Sequence, residues 1–322
     1  MKTLLPYQSF IEQEIQDRRF DALPKELYEP INYMLSLGGK RVRSVLCLMA
    51  TQMFQDYIAQ AINPALALEF FHSFSLMHDD IMDKAPLRRG KLSVYQRSGL
   101  NQAILSGDLL LIKSYQFFKN LKSEIFHKVS AEFSEMAVKV CEGQQMDLNL
   151  ERAQEVQFEQ YMEMITYKTA ALMGSSLKIG ALVGGASEQD TMHLYETGKN
   201  IGIAFQIQDD LLDVFGDEGY FGKKRAGDIY HNKKTILYFK ALEKADTAQR
   251  EEILYWYSSD GSMDKIYAVE TLFKKLRVKQ DVEKELEYHR DKSLKHLAQV
   301  SVGDEKKKAL RQLIDELIIR AK

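Results

Sequence analysis

Residues 191–215 read TMHLYETGKNIGIAFQIQDDLLDVF. Leu194, Ile201, Ile203, Phe205, Ile207, Leu211, Leu212 and Val214 recur at helical spacing yet cover most of the circumference, as in a helix at the centre of a bundle. Residues 161–184 have the same character. Apolar residues keep helical spacing through 41–54, 65–82, 103–118, 129–148, 265–275 and 306–320, whereas alternation over strand length is hard to find. All five prolines fall at or before Pro86, so no ring breaks a helix after that point. The connectors at 35–41, 84–93, 182–190, 216–234 and 258–264 are not Pro/Ser linkers and are not of low complexity. The expectation is an all-α, single-domain helical bundle spanning 1–322.

The chain has 322 residues, 45% of them hydrophobic and 28% charged, within the ordinary globular range. A net charge of −2 supplies no global basic field for nucleic acid or an anionic membrane. Cys47 and Cys141 lie far apart without a CxxC, which argues against a zinc knuckle or a disulfide framework and for a reduced, cytoplasmic setting. No window approaches the ~18 apolar residues of a membrane span, so no transmembrane segment is expected.

Inside 191–215 stands Asp209-Asp210-Leu-Leu-Asp213, and 76–83 repeats the idea as LMHDDIMD with Asp79, Asp80 and Asp83. On a helix Asp79 and Asp83 share a face, with Asp80 about a quarter-turn aside. One such motif is ordinarily a solvated acidic face. Here Phe70, Phe71, Phe74, Leu76 and Met77 precede the first triad, and Ile203, Phe205, Ile207, Leu211 and Leu212 surround the second. Half-buried carboxylates crowded among apolar groups cost several kcal/mol each unless cations compensate. Both triads are therefore candidate metal ligands. Oxygen donors without cysteine suit a hard ion, and one or two carboxylates per ion suit Mg²⁺ bound together with phosphates. The alternating ligands and central Gly of an EF-hand are missing.

Basic residues sit where an anion could use them. GGKRVR at 38–43 places Lys40, Arg41 and Arg43 at a helix start, where free amides and the helix dipole favour phosphate. LRRG at 87–90 places Arg88 and Arg89 just after the first triad, and guanidinium grips phosphate in bidentate fashion. YKT at 167–169 puts Lys168 and Thr169 in an apolar helix, facing either a cavity or, by snorkelling, the surface. The loop 219–234, with Lys223, Lys224, Arg225, Lys233 and Lys234, reads as a basic flap or as a solvated connector.

Assembled in order over roughly 38–237, GGKRVR, HDDIMD…LRRG, AILSGD, GQQMDL, YKT, FQIQDDLLDVFGD and FGKKRAGDI…NKK closely resemble the trans-isoprenyl diphosphate synthase (polyprenyl synthetase) family. The resemblance implies a homodimer of all-α subunits, each around a deep central cavity, and head-to-tail condensation of isopentenyl diphosphate with an allylic diphosphate. It further implies three Mg²⁺ held by Asp79 and Asp83 on one wall and Asp209 on the other. Arg88, Lys168, Thr169, Gln206, Lys223 and Lys233 would complete the allylic site. Lys40, Arg43, His72 and Arg89 would form the isopentenyl site, with Arg320 and Lys322 as the counterpart of a basic tail that covers it. Ser44 stands where the family usually has Pro, and SVYQRSG at 93–99 lacks a His commonly found there.

Chain length would be set along one helix. Phe74 lies about 7–8 Å and Phe71 about 12 Å below Asp79 at 1.5 Å per residue. Either can be a floor or ordinary packing. Phe74 beside the small Ser75 resembles the geranylgeranyl-type pattern, and a blocking Phe71 would favour farnesyl diphosphate. A class I terpene cyclase, an HD-type phosphohydrolase and an inactive partner subunit are the rival readings, and two complete triads argue against the last.

Overall fold

The computed structural model describes residues 3–153, 155–216 and 226–318. Its first helices are α1 Leu5–Asp17, α2 Lys25–Ser36, α3 Val42–Phe54 and α4 Ala59–Met82. A two-residue hairpin, β1 Leu87–Arg88 with β2 Lys91–Leu92, turns the chain back, and α5 Val94–Ser98, α6 Leu100–Gln116 and α7 Ser123–Arg152 follow. Then come α8 Phe158–Ile165, a π-helical turn Thr166–Ala170, α9 Ala171–Gly184 and α10 Glu188–Phe215. The rest is α11 Gly227–Tyr230, α12 Ile236–Lys244, α13 Thr247–Ser258, α14 Met263–Lys275, α15 Val278–Gln299 and α16 Asp304–Ile318. The protein is all-α. Among the described residues no helix is long and apolar enough to cross a membrane.

The helix expected over 191–215 is α10, packed between α9 and α15, with Leu194, Ile201, Ala204, Ile207 and Leu211 buried. Two apolar clusters form the core. Val45, Leu46 and Met49 of α3 and Met173 and Leu177 of α9 face the first, while Cys47, Leu48, Leu172 and Ile179 of the same helices face the second. That double exposure to apolar neighbours is why α3 and α9 read as hydrophobic all round.

The continuous helix expected over 161–184 is instead broken after its fifth residue by the π turn. A π turn inserts an extra residue into the ladder and rotates the side chains on either side of it. Gly143 of α7 explains the local packing, because a Cβ there would stand 2.2 Å from the backbone nitrogen of Lys168. The backbone of α7 therefore lies directly against the turn that carries Lys168 and Thr169. Substitution of Gly143 by Ala must push that turn away. It is expected to lower the unfolding free energy by about 1–3 kcal/mol, the usual cost of overpacking, as read by urea denaturation, and to reduce activity with it.

Candidate active site

The first triad closes α4. Asp83 is its C-cap residue, so the carboxylates sit where the helix ends and the hairpin begins. That hairpin returns Arg88, whose Nε donates to Asp80 Oδ1 at 2.9 Å while its Nη2 makes a shorter contact with the same oxygen. Asp80 is fully buried, and its Oδ2 has no hydrogen-bond partner. Asp79 faces the opposing helices, with Oδ1 buried, without a hydrogen bond, and 3.4 Å from Lys168 Nζ.

Lys168 also donates to Asp147 Oδ2 of α7 at 2.6 Å. Asp147 is four residues after Gly143 and on the same face, so the close contact of α7 with the π turn places its carboxylate at the ammonium. Lys168 thus stands between α4 and α7. Burial opposes its charge, but Asp79 and Asp147 outweigh this and raise its pKa. Lys233 behaves alike: burial is overcome by Asp147, Asp228, Asp83 and Glu151, and the ammonium is held firmly protonated.

The second triad lies on α10. Asp209 is on the exposed face, and Asp213 Oδ2 accepts the backbone N–H of Asp228 at 3.0 Å. Asp210 is buried and accepts from Tyr161 Oη at 2.6 Å and Gln206 Nε2 at 2.9 Å. Gln206 Oε1 in turn accepts from Thr169 Oγ1 at 3.0 Å. Lys168, Thr169, Gln206, Asp210, Asp228 and Lys233 line one cleft.

All six aspartates were candidate ligands, with Asp79, Asp83 and Asp209 implied as the residues that hold the ions. Asp80 and Asp210 spend their carboxylates on Arg88, Tyr161 and Gln206, whereas Asp79 stands at Lys168 and Asp83 and Asp209 are exposed. The donor set fits a hard divalent cation. Burial, then neighbouring carboxylates, raise Asp80 despite Arg88; partial desolvation at the rim and then Asp79 raise Asp83. Burial and Asp228 push Asp210 up to about 8 against the pull of Tyr161 and Gln206. Among the described residues no three carboxylate, His or Cys side chains converge on one point, so an ion here would share one or two carboxylates with a phosphate ligand.

A second anion site lies apart. Gly38 and Gly39 have φ of +71° and +146°, and a Cβ on Gly39 would come within 2.9 Å of the Arg89 guanidinium, so glycine lets Arg89 lie over the turn. Arg43 Nε is buried without a hydrogen bond. Burial, with repulsion from Arg89, lowers the Arg43 pKa to about 10 against the attraction of Glu69. Burial and then Arg43, Arg89, Arg88 and Arg41 hold His72 well below its usual pKa, which makes it neutral. These cations gather without enough anions between them. Arg41, expected on sequence to sit with them, is turned away: it binds Glu12 at 2.8 Å, Glu69 at 2.8 Å and the Leu35 carbonyl at 2.8 Å. Lys40 stands on the same turn. Lys223, Arg320 and Lys322 lie outside the described residues.

A family model for polyprenyl synthetase matches residues 24–274. The chain belongs to the polyprenyl synthetase family. It is 38% identical over 255 residues to a short chain isoprenyl diphosphate synthase of Methanothermobacter thermautotrophicus, a match covering 79% of this chain and 78% of that one. It is 37% identical over 223 residues to a geranylgeranyl diphosphate synthase of Methanosarcina mazei, covering 69% of each. A crystal structure of geranylgeranyl pyrophosphate synthase superposes with a TM-score of 0.95 at 36% identity, covering 100% of both chains. The chain is a prenyltransferase of this family.

Sequence reasoning quoted GQQMDL without assigning Asp147, and it missed Tyr161, Glu69 and Asp228. Asp147 had a signal, since it lies four residues from a glycine on one helix face. Tyr161 had none, because the π turn alters its register with Lys168.

In the metal-free protein the sign of the pH dependence follows from these raised acids. Their folded pKa values exceed the unfolded ones near 4, so the stability they contribute is present below about pH 4 and is lost as pH rises through the folded values, to about 8 for Asp210. Mg²⁺ with pyrophosphate is expected to raise the melting temperature more at pH 8.5 than at pH 5, as read by differential scanning fluorimetry.

Proposed function

We propose that this prenyltransferase condenses isopentenyl diphosphate head to tail with an allylic diphosphate and that its product is geranylgeranyl diphosphate. The observation that carries the reading is the pairing of two anion sites of different chemistry: a carboxylate–lysine cleft between α4, α7 and α10, and the Arg43–Arg89–His72 cluster, which has no acidic triad. The first suits a diphosphate bound with cations, and the second suits one bound by guanidinium alone.

Asp79, Asp83 and Asp209 would hold Mg²⁺, three ions in all, and bound there it would neutralise charge growing on the departing pyrophosphate. Lys168, Lys233, Arg88 and Lys223 would add fixed positive charge to the same oxygens. As the allylic C–O bond breaks, the oxygens of Thr169 and Gln206 face the cationic carbon. The double bond of isopentenyl diphosphate, held by Lys40, Arg43, His72 and Arg89, attacks it, and the new C–C bond forms. The proton that must then leave goes to pyrophosphate, so no side-chain base is required.

Product length rests on α4. Phe71 is fully buried, with its ring 5.4 Å from Phe133 and 5.5 Å from Phe74, so it belongs to the core. Phe74 keeps 8% exposure, and Ser75 turns its hydroxyl back to the His72 carbonyl at 2.9 Å, leaving no bulk beside it. This favours the geranylgeranyl product over farnesyl diphosphate. Residues 1–322 are read as one domain, since α3 and α9 serve both apolar clusters. Ile104, Leu105 and Ile112 of α6 are exposed, and they support a homodimer that covers them. The free cysteines Cys47 and Cys141 suit the cytoplasm.

The test is pyrophosphate release. This reading expects release only with both substrates; release from the allylic substrate alone would indicate a cyclase, and none with either combination an inactive subunit. The Phe74→Ala enzyme is expected to make products longer by at least one isoprene unit, read by chromatography of the dephosphorylated alcohols. Unchanged length would place the floor elsewhere.

A further inference from the structure

Thr169 and Gln206 can steady a cation only if their oxygens, not their donors, are presented to it. A free glutamine amide has no reason to choose, because its two ends are similar in shape and opposite in polarity. In this cleft the choice is made from behind. Asp210 is buried, and the Gln206 group set against its Oδ1 at 2.9 Å is the NH₂. The carbonyl end then faces Thr169, whose hydroxyl spends its single proton on it at 3.0 Å and leaves its own lone pairs outward.

What holds Asp210 is Tyr161. The phenol donates to Oδ2 at 2.6 Å. The ring is 99% buried, with Phe239 at 5.7 Å and Phe158 at 6.3 Å, so the hydroxyl has little room to move.

We infer that Tyr161 is a positioning residue for the condensation: acting through Asp210, it sets the orientation of the Gln206 amide and hence the polarity of the Gln206–Thr169 pair toward the allylic carbon. The inference rests on the reading of this cleft as the allylic site. Removing the hydroxyl leaves a buried carboxylate oxygen without its donor, and Asp210 is then free to turn and release the amide. The substrate's diphosphate, held by other residues, is untouched by this change. The cost falls on the step in which positive charge appears.

The experiment is a kinetic double-mutant cycle on the full-length enzyme with geranyl or farnesyl diphosphate as primer. Tyr161→Phe, which keeps the packed ring, is expected to lower kcat by about tenfold or more, the scale of one buried hydrogen-bonding group left unsatisfied. The allylic KM should stay within about twofold. In a Gln206→Ala background the same change is expected to cost nothing further in kcat, because the group it orients is gone. A merely structural tyrosine would give equal losses in both backgrounds, in parallel with a fall in melting temperature. That result, an unchanged kcat in Tyr161→Phe, or a loss confined to KM would each overturn the inference while leaving the proposed reaction intact. A wild-type enzyme that releases no pyrophosphate with both substrates would overturn both.

Discussion

Carboxylates that face one another across a cleft repel, and the rest of this active site is arranged around that repulsion. Asp79, Asp83, Asp147, Asp228 and Glu151 all act on Lys168 or Lys233, and without those two ammonium groups the walls formed by α4, α7 and the segment after α10 would hold uncompensated charge. The lysines do in the free protein what a diphosphate with its cations would do in the complex. They moderate the field without removing it: burial first, and neighbouring carboxylates after it, still raise Asp80, Asp83, Asp210 and Glu151. A site left partly unsatisfied in this way is primed for ligand, since binding relieves a cost already built into the fold.

Arg41 and Ser44 show how the neighbouring site is kept open. Arg41 adopts a left-handed backbone at φ +51°, and its guanidinium is absorbed by Glu12 and Glu69. Ser44, where the family usually has Pro, donates its hydroxyl to the Ala65 carbonyl at 2.9 Å and lies 3.2 Å from Glu69. The serine thus ties α3 to α4 and helps fix the carboxylate that draws Arg41 inward. Proline at the third position of a helix would need no such partner, because its missing N–H is one of the unpaired amides at that end. Two different residues can therefore start α3, and only one of them reaches Glu69.

Much of this was legible in the sequence, and the parts that were not have physical reasons. The eight apolar segments became helices because burial on several sides leaves a strong periodic signal. Residues 278–299 form a 22-residue helix that the pattern did not give, since His289 and Ser293 occupy buried positions in its stripe and the rest of its surface is charged. The two acidic triads were readable as candidate ligands, but spacing cannot tell which of their carboxylates are taken by protein donors. Arg88 reaches Asp80 by way of a hairpin, and Tyr161 reaches Asp210 from 49 residues away. The π turn left no mark in the apolar pattern, and neither did the close approach of α7 to it at Gly143, a contact between segments far apart in sequence.

The central claim is that the α4 and α10 carboxylates serve one shared ligand. It is tested most directly by calorimetric titration of Mg²⁺ into the protein with and without inorganic pyrophosphate. The account predicts strong Mg²⁺ binding only when pyrophosphate is present, and loss of that event in Asp79→Asn and in Asp209→Asn alike. Independent binding of Mg²⁺ at each wall without pyrophosphate, or an undiminished event in either variant, would contradict it.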